Sequence, residues 1–141
     1  MPLPKPTYKK PREQINSFEE STWHANATPF YETEQVAVFK DLYPCTEGHL
    51  LFIPKQNEPD YIAEAYKLAY RCGEQWMEEE KIDGFNVGQN RGKCAGQTIM
   101  WPHVHFIPRK DGDIKNGQKG NGIRLSFPNG DTKNIINEGK N

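Results

Sequence analysis

The sequence predicts an α+β fold: an antiparallel sheet of about five strands, with one long helix and a short N-terminal helix. Several short runs of β-branched and aromatic residues are each closed by Pro, Gly or Asn, which is typical of strands joined by turns. One longer segment instead repeats its apolar side chains every three to four positions, which is typical of a helix packed on one face. The 141 residues are enough for a single domain of this class.

The hydrophobic residues are unevenly distributed along the chain. Most of them lie between Ser21 and Arg109, and both ends of the chain are polar. We therefore predict an N-terminal arm over residues 1–20, a folded domain over 21–128 and a C-terminal tail over 129–141. Since only 35% of the chain is hydrophobic, we expect a thin core.

The first elements of the domain are predicted from local signals. A short helix is expected over Glu13–Thr22, at the end of the Pro- and Lys-rich arm. The first strand is predicted at Val36–Phe39, which is β-branched and aromatic. The second is the apolar run His49–Ile53, which Pro54 ends. Because the link between the two strands is short, they should pair antiparallel.

The long helix is predicted from its start signals and its periodicity. Asn57 is a candidate cap, Pro59 suits the first turn, and Asp60 places an acid there. The apolar residues behind it form one stripe on a helix of about 20 residues. We interpret this stripe as core; it comprises Ile62, Ala65, Tyr66, Ala69, Gly73, Trp76 and Met77.

Three more strands complete the prediction. Gly84–Gly88 is expected to be a strand, followed by a loop over residues 90–97. His103–Ile107 is the next strand, and Pro108 should close it. Ile123–Phe127 is the last candidate, and a strong turn follows it. Mostly short links between the strands favour a meander with one helical excursion.

Composition excludes several classes of function. The net charge is -1, so the chain has no overall attraction for nucleic acid or membranes. No apolar run approaches the ~18 residues of a membrane span, and the first residues lack the apolar core of a signal peptide. Cys45, Cys72 and Cys94 form neither pairs nor a Cys-x-x-Cys zinc motif. We therefore expect reduced thiols and a cytoplasmic location.

Three of the four histidines are the main candidates for a functional site. His103 and His105 are two residues apart on a strand, so both side chains point to one face and Val104 to the other. We expect the face with the imidazoles to lie outside the core. His49 opens another strand and could approach them. Such a set suits a divalent metal, or a nucleophile and acid–base group near neutral pH.

The segments around these histidines share a pattern with one protein family. The chain resembles the histidine triad (HIT) superfamily of nucleotide hydrolases and transferases, whose signature is His-φ-His-φ-His-φ-φ, φ being apolar, after a Gly-Gln-Ser/Thr loop. The resemblance covers roughly residues 28–128, and Trp101 stands where the family has its first histidine. The matching segments are Phe39–Pro44, Gly48–Lys55, Gly84–Asn90, Gly96–Thr98, Trp101–Arg109, Asp111–Asp113 and Gly122–Arg124.

The resemblance implies an enzymatic mechanism. His103 would attack the α-phosphorus of a nucleotide and form a nucleotidyl-histidine intermediate, which water then hydrolyses. His105 would donate to the phosphate oxygens, and Gln97 would contact the phosphate or the leaving group. Trp101 would be a supporting residue, because the family holds the nucleophile through a backbone carbonyl at that position.

The resemblance also implies a binding site and partners. The substrate would be a purine nucleotide, or a nucleoside phosphoramidate or polyphosphate, with no cofactor and no metal. The chain would be a homodimer, and membranes and nucleic acid are not expected partners. The alternatives are a nucleotide-binding protein without activity and a metal-binding protein that uses His49, His103 and His105. The substrate-binding and supporting residues implied by the family are Phe39, Asp41, Leu42, Asn90, Thr98 and His49.

Overall fold

The computed structural model describes residues 15–113 of the chain. Residues 1–14 of the predicted N-terminal arm, the strand predicted at Ile123–Phe127, its turn and the predicted C-terminal tail lie outside the described residues. Within residues 15–113 the structure has two short 3₁₀ helices, two α-helices and five strands. The elements are the 3₁₀ helices Phe18–Glu20 and Lys93–Ala95, α1 (Thr22–Asn26), α2 (Pro59–Glu78), β1 (Tyr31–Glu32), β2 (Val36–Lys40), β3 (Leu50–Pro54), β4 (Gly84–Gly88) and β5 (Val104–Arg109).

The strands form one antiparallel sheet in the order β1-β2-β3-β5-β4, which confirms the predicted fold class. Strand β5 lies between β3 and β4, so its residues have neighbours on both sides. Leu51 of β3 and Gly88 of β4 are the register partners of His105. The register of β5, and with it the position of His105 in the sheet, is therefore set by pairing on both sides.

The N-terminal elements differ from their prediction. A short N-terminal helix is confirmed but its bounds differ: within the described part of the predicted range Glu13–Thr22 a 3₁₀ helix spans Phe18–Glu20, and α1 begins only at Thr22. Ser21 causes the shift: its side chain accepts a hydrogen bond from the His24 amide at 3.3 Å and caps the helix. Strand β1 was not predicted, because its two residues are both exposed and show no hydrophobic alternation.

Helix α2 confirms the predicted long helix, but not its cap. The cap residue is Glu58 and makes no side-chain hydrogen bond, so the prediction of Asn57 is wrong by one residue. Pro59 sets the helical φ at the first position, which explains the start without a capping side chain. Ala65, Ala69 and Gly73 are the buried residues of α2, and their small side chains let the helix approach the sheet closely.

Strand β5 extends beyond its predicted end. Pro108 does not close the strand, because it pairs with Phe85 and the ladder continues to Arg109. The carbonyl of Arg109 also accepts a hydrogen bond from the Asp83 amide at 3.0 Å. The face that carries His105 therefore also carries the side chain of Arg109, four residues further along.

Apolar residues pack on both faces of the sheet. The cluster on the α2 side contains Val36, Val38, Leu50, Phe52, Ala65, Ala69, Ile82, Val104 and Phe106. The prediction that the histidine face lies outside the core is wrong, because an N-terminal segment folds over it and brings Phe18 and Trp23. This second cluster contains Phe18, Trp23, Ala37, Phe39, Leu51, Ile53 and Trp101.

Candidate functional site

His103 lies immediately before β5 and is 5% exposed. Its Nδ1 atom is 2.7 Å from the backbone oxygen of Trp101. A carbonyl oxygen can only accept, so Nδ1 carries the proton and donates it. In the neutral imidazole the other nitrogen, Nε2, then has a lone pair available for attack on an electrophile.

Trp101 anchors this arrangement from inside the second apolar cluster. Its side chain is 3% exposed, and its indole N–H donates to the Pro54 carbonyl at 2.9 Å. Its own carbonyl accepts from His103, so one residue links the end of β3 to the imidazole. The Trp23 ring covers His103 with a centroid separation of 5.0 Å. The imidazole is therefore fixed by a hydrogen bond and by an aromatic contact.

The turn that precedes β3 positions His49. Its amide donates to the Thr46 carbonyl at 3.2 Å, and Gly48 adopts a φ of 88°, a conformation that glycine accepts without strain. The Cys45 amide donates to His49 Nδ1 at 3.2 Å. The proton of neutral His49 must therefore sit on Nε2.

The Nε2 proton of His49 points at two acceptors. His105 Nδ1 is 2.9 Å away and Asp41 Oδ2 is 3.3 Å away. Because His105 Nδ1 accepts, the proton of neutral His105 lies on Nε2. Asp41 Oδ1 accepts from the Tyr43 amide at 2.8 Å, which orients the carboxylate. We call Asp41, His49 and His105 the Asp–His–His cluster; the hydrogen bond from His49 leaves Nε2 as the nitrogen of neutral His105 that carries the proton.

All three imidazoles of the site are held neutral. Burial lowers the pKa of His103 and of His49 below the ordinary histidine value. Burial, with contributions from His103 and His49, lowers the pKa of His105 to about 4. The charge of Asp41 opposes the shift in each case but is the weaker effect. At neutral pH the site therefore offers one unprotonated nucleophilic nitrogen and one N–H donor.

The Asp–His–His cluster brings its three candidate ligand atoms within 4.8 Å of one another, which suits the size of a metal site. The tautomer of His49 argues against that use. A neutral imidazole that binds a metal through Nε2 carries its proton on Nδ1, where the Cys45 amide already points its own hydrogen. His103 lies outside this cluster. The donor set therefore fits a hydrogen-bonded relay better than a metal ion.

Gln97 closes the loop that precedes the histidines. It is 6% exposed; its Oε1 accepts from the Gly92 amide at 2.8 Å, and its Nε2 donates to the Ile99 carbonyl at 2.9 Å. The side chain expected at a phosphate is therefore engaged with the loop backbone. Thr98 and Asn90 are exposed residues of the same loop.

The residues expected at a nucleoside are not brought together. Phe39 is 1% exposed and contacts the Phe18 ring at a centroid separation of 6.4 Å. Leu42 is 69% exposed. Asp41 lies between them in sequence and turns inward to the histidines. Sequence reasoning also missed Phe18 and Trp23; the capping Ser21 between two aromatic residues was the available signal.

Comparison with known proteins identifies a family. Residues 23–112 match the family model described as HIT domain. The chain is 37% identical over 87 residues to the adenosine 5'-monophosphoramidase of Saccharomyces cerevisiae, a match covering 57% of this chain and 52% of that protein. It is 31% identical over 97 residues to the bis(5'-adenosyl)-triphosphatase of Dictyostelium discoideum, covering 64% and 65%. The chain thus spans about half to two thirds of the length of these relatives.

Solved structures share the fold. A zinc-bound histidine triad family protein from Mycobacterium smegmatis aligns with a TM-score of 0.58 at 26% identity, covering 82% of this chain and 89% of that one. A hypothetical histidine triad nucleotide-binding protein from Sulfolobus tokodaii aligns with a TM-score of 0.52 at 37% identity, covering 59% of this chain and 60% of that one.

No helix of residues 15–113 combines the length and the hydropathy that a membrane span requires.

Proposed function

The chain belongs to the HIT domain family, and on that premise we propose that it is a nucleotide hydrolase or nucleotidyl transferase acting at an α-phosphate through His103. One observation carries the proposal: the hydrogen bond from His103 Nδ1 to the Trp101 carbonyl leaves the lone pair on Nε2. Burial keeps that nitrogen unprotonated by lowering the pKa of His103. A neutral imidazole in this state attacks phosphorus without an additional base.

The reaction has two displacement steps. In the first, the Nε2 lone pair of His103 forms a bond to the α-phosphorus, and the bond from phosphorus to the leaving group breaks. The electron pair of that bond departs with the leaving group. In the second step a water oxygen bonds to phosphorus, the N–P bond breaks and its electron pair returns to Nε2. The water proton leaves to solvent or to a basic group.

His105 supplies the electrostatic part of the mechanism. Its Nε2–H, fixed by the hydrogen bond that Nδ1 accepts from His49, is a donor for the non-bridging phosphate oxygens. The ring centroids of His105 and His103 are 5.2 Å apart, so one phosphate can contact both imidazoles. We assign Asp41 and His49 to orienting this donor.

The remaining substrate contacts follow the family pattern. Gln97 shapes the phosphate loop through its two bonds to the loop backbone, and Asn90 and Thr98 supply polar groups from the exposed side of that loop. Asp41 accepts from a ribose hydroxyl through a remaining lone pair of Oδ1, which also accepts from the Tyr43 amide, while Oδ2 faces His49. The base contacts Phe39 and Leu42, which requires Phe18 to move aside because it covers Phe39.

The substrate class is proposed from the relatives. Homologues are named as an adenosine 5'-monophosphoramidase, an adenylylsulfatase and a bis(5'-adenosyl)-triphosphatase. All three names describe an adenosine nucleotide, so we propose a purine nucleoside phosphoramidate or polyphosphate substrate. A second candidate function is nucleotide binding without turnover, favoured by the near-complete burial of His103 and by Trp101 at the first position of the triad signature.

The hydrolysis assay compares release of AMP from AMP phosphoramidate and from diadenosine triphosphate. The wild-type chain should release AMP from at least one substrate, and His103→Ala should reduce the rate by about 10³-fold or more. His24→Ala is the matched control, because His24 is an exposed histidine of α1, and it should keep the wild-type rate. Nucleotide binding without AMP release from either substrate supports the second candidate instead.

A homodimer is part of the proposal. Among the strands of residues 15–113, β4 lies at one edge of the sheet, and Tyr66, Tyr70 and Met77 of α2 are exposed. An unpaired strand edge with exposed apolar neighbours is a suitable surface for a second copy of the chain. Light scattering should give the mass of a dimer, and a monomeric mass at micromolar concentration would contradict it.

A further inference from the structure

A cavity of about 340 Å³ opens beside the histidines, over the surface of β4 and β5. Alternate residues of a strand share a face, so His105, Ile107 and Arg109 follow one another along its floor. At ~3.3 Å per residue, the α-carbons of His105 and Arg109 are about 13 Å apart. The lining residues are His49, Asn86, Val87, Gly88, Gln89, Asn90, His105, Ile107 and Arg109.

The lining of this cavity is rich in amides and contains one cation, Arg109, which also forms an ion pair with Asp113 outside the lining. Arg109 is the charged residue among the lining residues, none of which is a carboxylate. The two histidines are neutral at pH 7, because burial lowers the pKa of both. Asn86, Gln89 and Asn90 add amide groups that can donate hydrogen bonds. Such a wall suits an anion and offers nothing specific to a cation.

The guanidinium of Arg109 is oriented by two neighbours. Its NH1 donates to Asn86 Oδ1 at 2.9 Å, and its Nε donates to Asp113 Oδ2 at 3.3 Å. These bonds use two of its five N–H groups, which leaves three for a ligand as far as residues 15–113 are concerned. Asp113, which forms the ion pair with this guanidinium, is not among the residues that line the cavity.

We propose that this cavity receives the leaving group and that Arg109 selects a polyanionic one, such as a nucleoside diphosphate or a longer polyphosphate, over an amine. The inference rests on the proposed function. Attack by His103 breaks the bond from the α-phosphorus to the bridging oxygen, whose electron pair stays on the departing polyphosphate. Arg109 stabilises the negative charge that grows there. Ammonia, the leaving group of a simple phosphoramidate, is too short to reach across the cavity.

The test is a specificity ratio. We compare Arg109→Gln with the wild type on diadenosine triphosphate and on AMP phosphoramidate. The kcat/KM for the triphosphate should fall by about 10- to 100-fold, and that for the phosphoramidate should change by less than about threefold. Lys110→Gln, the exposed neighbour with the same change of charge, is the control and should alter neither value. Equal losses on both substrates, or no loss on either, would overturn the proposal.

A binding measurement keeps the proposal separate from the activity. If the wild-type chain hydrolyses neither substrate, the proposed function fails, and the cavity is tested with inorganic tripolyphosphate by titration calorimetry. Binding by the wild type that weakens at least about 10-fold in Arg109→Gln, but not in Lys110→Gln, supports the anion site. Absent binding, or equal binding by the wild type and Arg109→Gln, overturns it.

Discussion

Replacing Trp101 with Phe separates the two interactions that this residue makes. The indole N–H donates to the Pro54 carbonyl at 2.9 Å, whereas the backbone carbonyl of residue 101 accepts from His103 at 2.7 Å. Phenylalanine keeps an aromatic ring and the carbonyl but has no N–H donor. The change should therefore lower the stability of the fold and leave the nucleophile oriented.

The size of the stability loss follows from burial. Pro54 is buried, so its carbonyl would lose a partner where water does not replace it, at a cost of about 1–3 kcal/mol. The smaller ring leaves space in a site that is 3% exposed, which adds about 1 kcal/mol. We expect the free energy of unfolding to fall by about 2–4 kcal/mol in total, measured by urea unfolding.

The matched control is Trp76→Phe. Trp76 packs against Phe106 on the other face of the sheet, and its indole N–H donates to no group within residues 15–113. It should lose less stability than Trp101→Phe, while kcat of both variants stays within about threefold of the wild type. Equal destabilisation of the two variants would refute the hydrogen-bond argument. A folded Trp101→Phe protein with a 100-fold lower kcat would refute the assignment of the carbonyl as the orienting group.

Three further predictions concern the titration of His105, the packing of Gly73 and the removal of metal ions. The pKa of His105 is about 4 in the folded protein and has the ordinary value of 6.5 in the unfolded chain. Between these two pH values the unfolded chain binds a proton that folded His105 does not. The free energy of unfolding should therefore fall by about 2 kcal/mol from pH 7 to pH 5. Gly73→Ala should lower the melting temperature, because a methyl group at this position overlaps the Phe85 ring. Such overpacking costs about 1–3 kcal/mol of stability, whereas the higher helix propensity of alanine returns only ~1 kcal/mol. Incubation with EDTA should change neither the melting temperature nor the activity, because we assign the Asp–His–His cluster to hydrogen bonding rather than to a metal ion.

Each of these predictions has an outcome that contradicts it. His105→Asn should flatten the loss of stability below pH 7, and an unchanged slope would place the responsible group elsewhere. Gly84→Ala is the control for Gly73→Ala, since a methyl group at Gly84 meets nothing within 4 Å, and equal effects would contradict the close packing of α2. Zinc found at one equivalent in the purified protein would contradict the tautomer assigned to the cluster.

Much of the fold could be predicted from periodicity. Helix α2 and the strands at Val36–Lys40 and Gly84–Gly88 have repeats and turn residues that specify them locally. The second apolar cluster could not be predicted, because it forms when Phe18 and Trp23 fold over the sheet from a polar segment. That packing depends on contacts distant in sequence, which local pattern does not contain.

The candidate site was predictable to a similar extent. Strand alternation predicted the shared face of the two triad histidines, and His49 does meet His105 at 2.9 Å. The family resemblance assigns Gln97 and Phe39 to a ligand, and that assignment stays a prediction. The hydrogen bonds of Gln97 to its own loop and the burial of Phe39 could not be predicted, because both depend on tertiary packing. The tautomers of the histidines likewise depend on backbone groups whose positions the sequence does not reveal.

Capture of a nucleotidyl adduct on His103 would distinguish a nucleophile from a residue that only binds the substrate. The chain is mixed rapidly with diadenosine triphosphate, quenched without acid so that the N–P bond survives, and weighed intact by mass spectrometry. We predict one added nucleotidyl group, mapped to His103, in the wild type and in Trp101→Phe, and none in His103→Ala. Turnover without any adduct on this histidine, or an adduct that persists in His103→Ala, would contradict the mechanism.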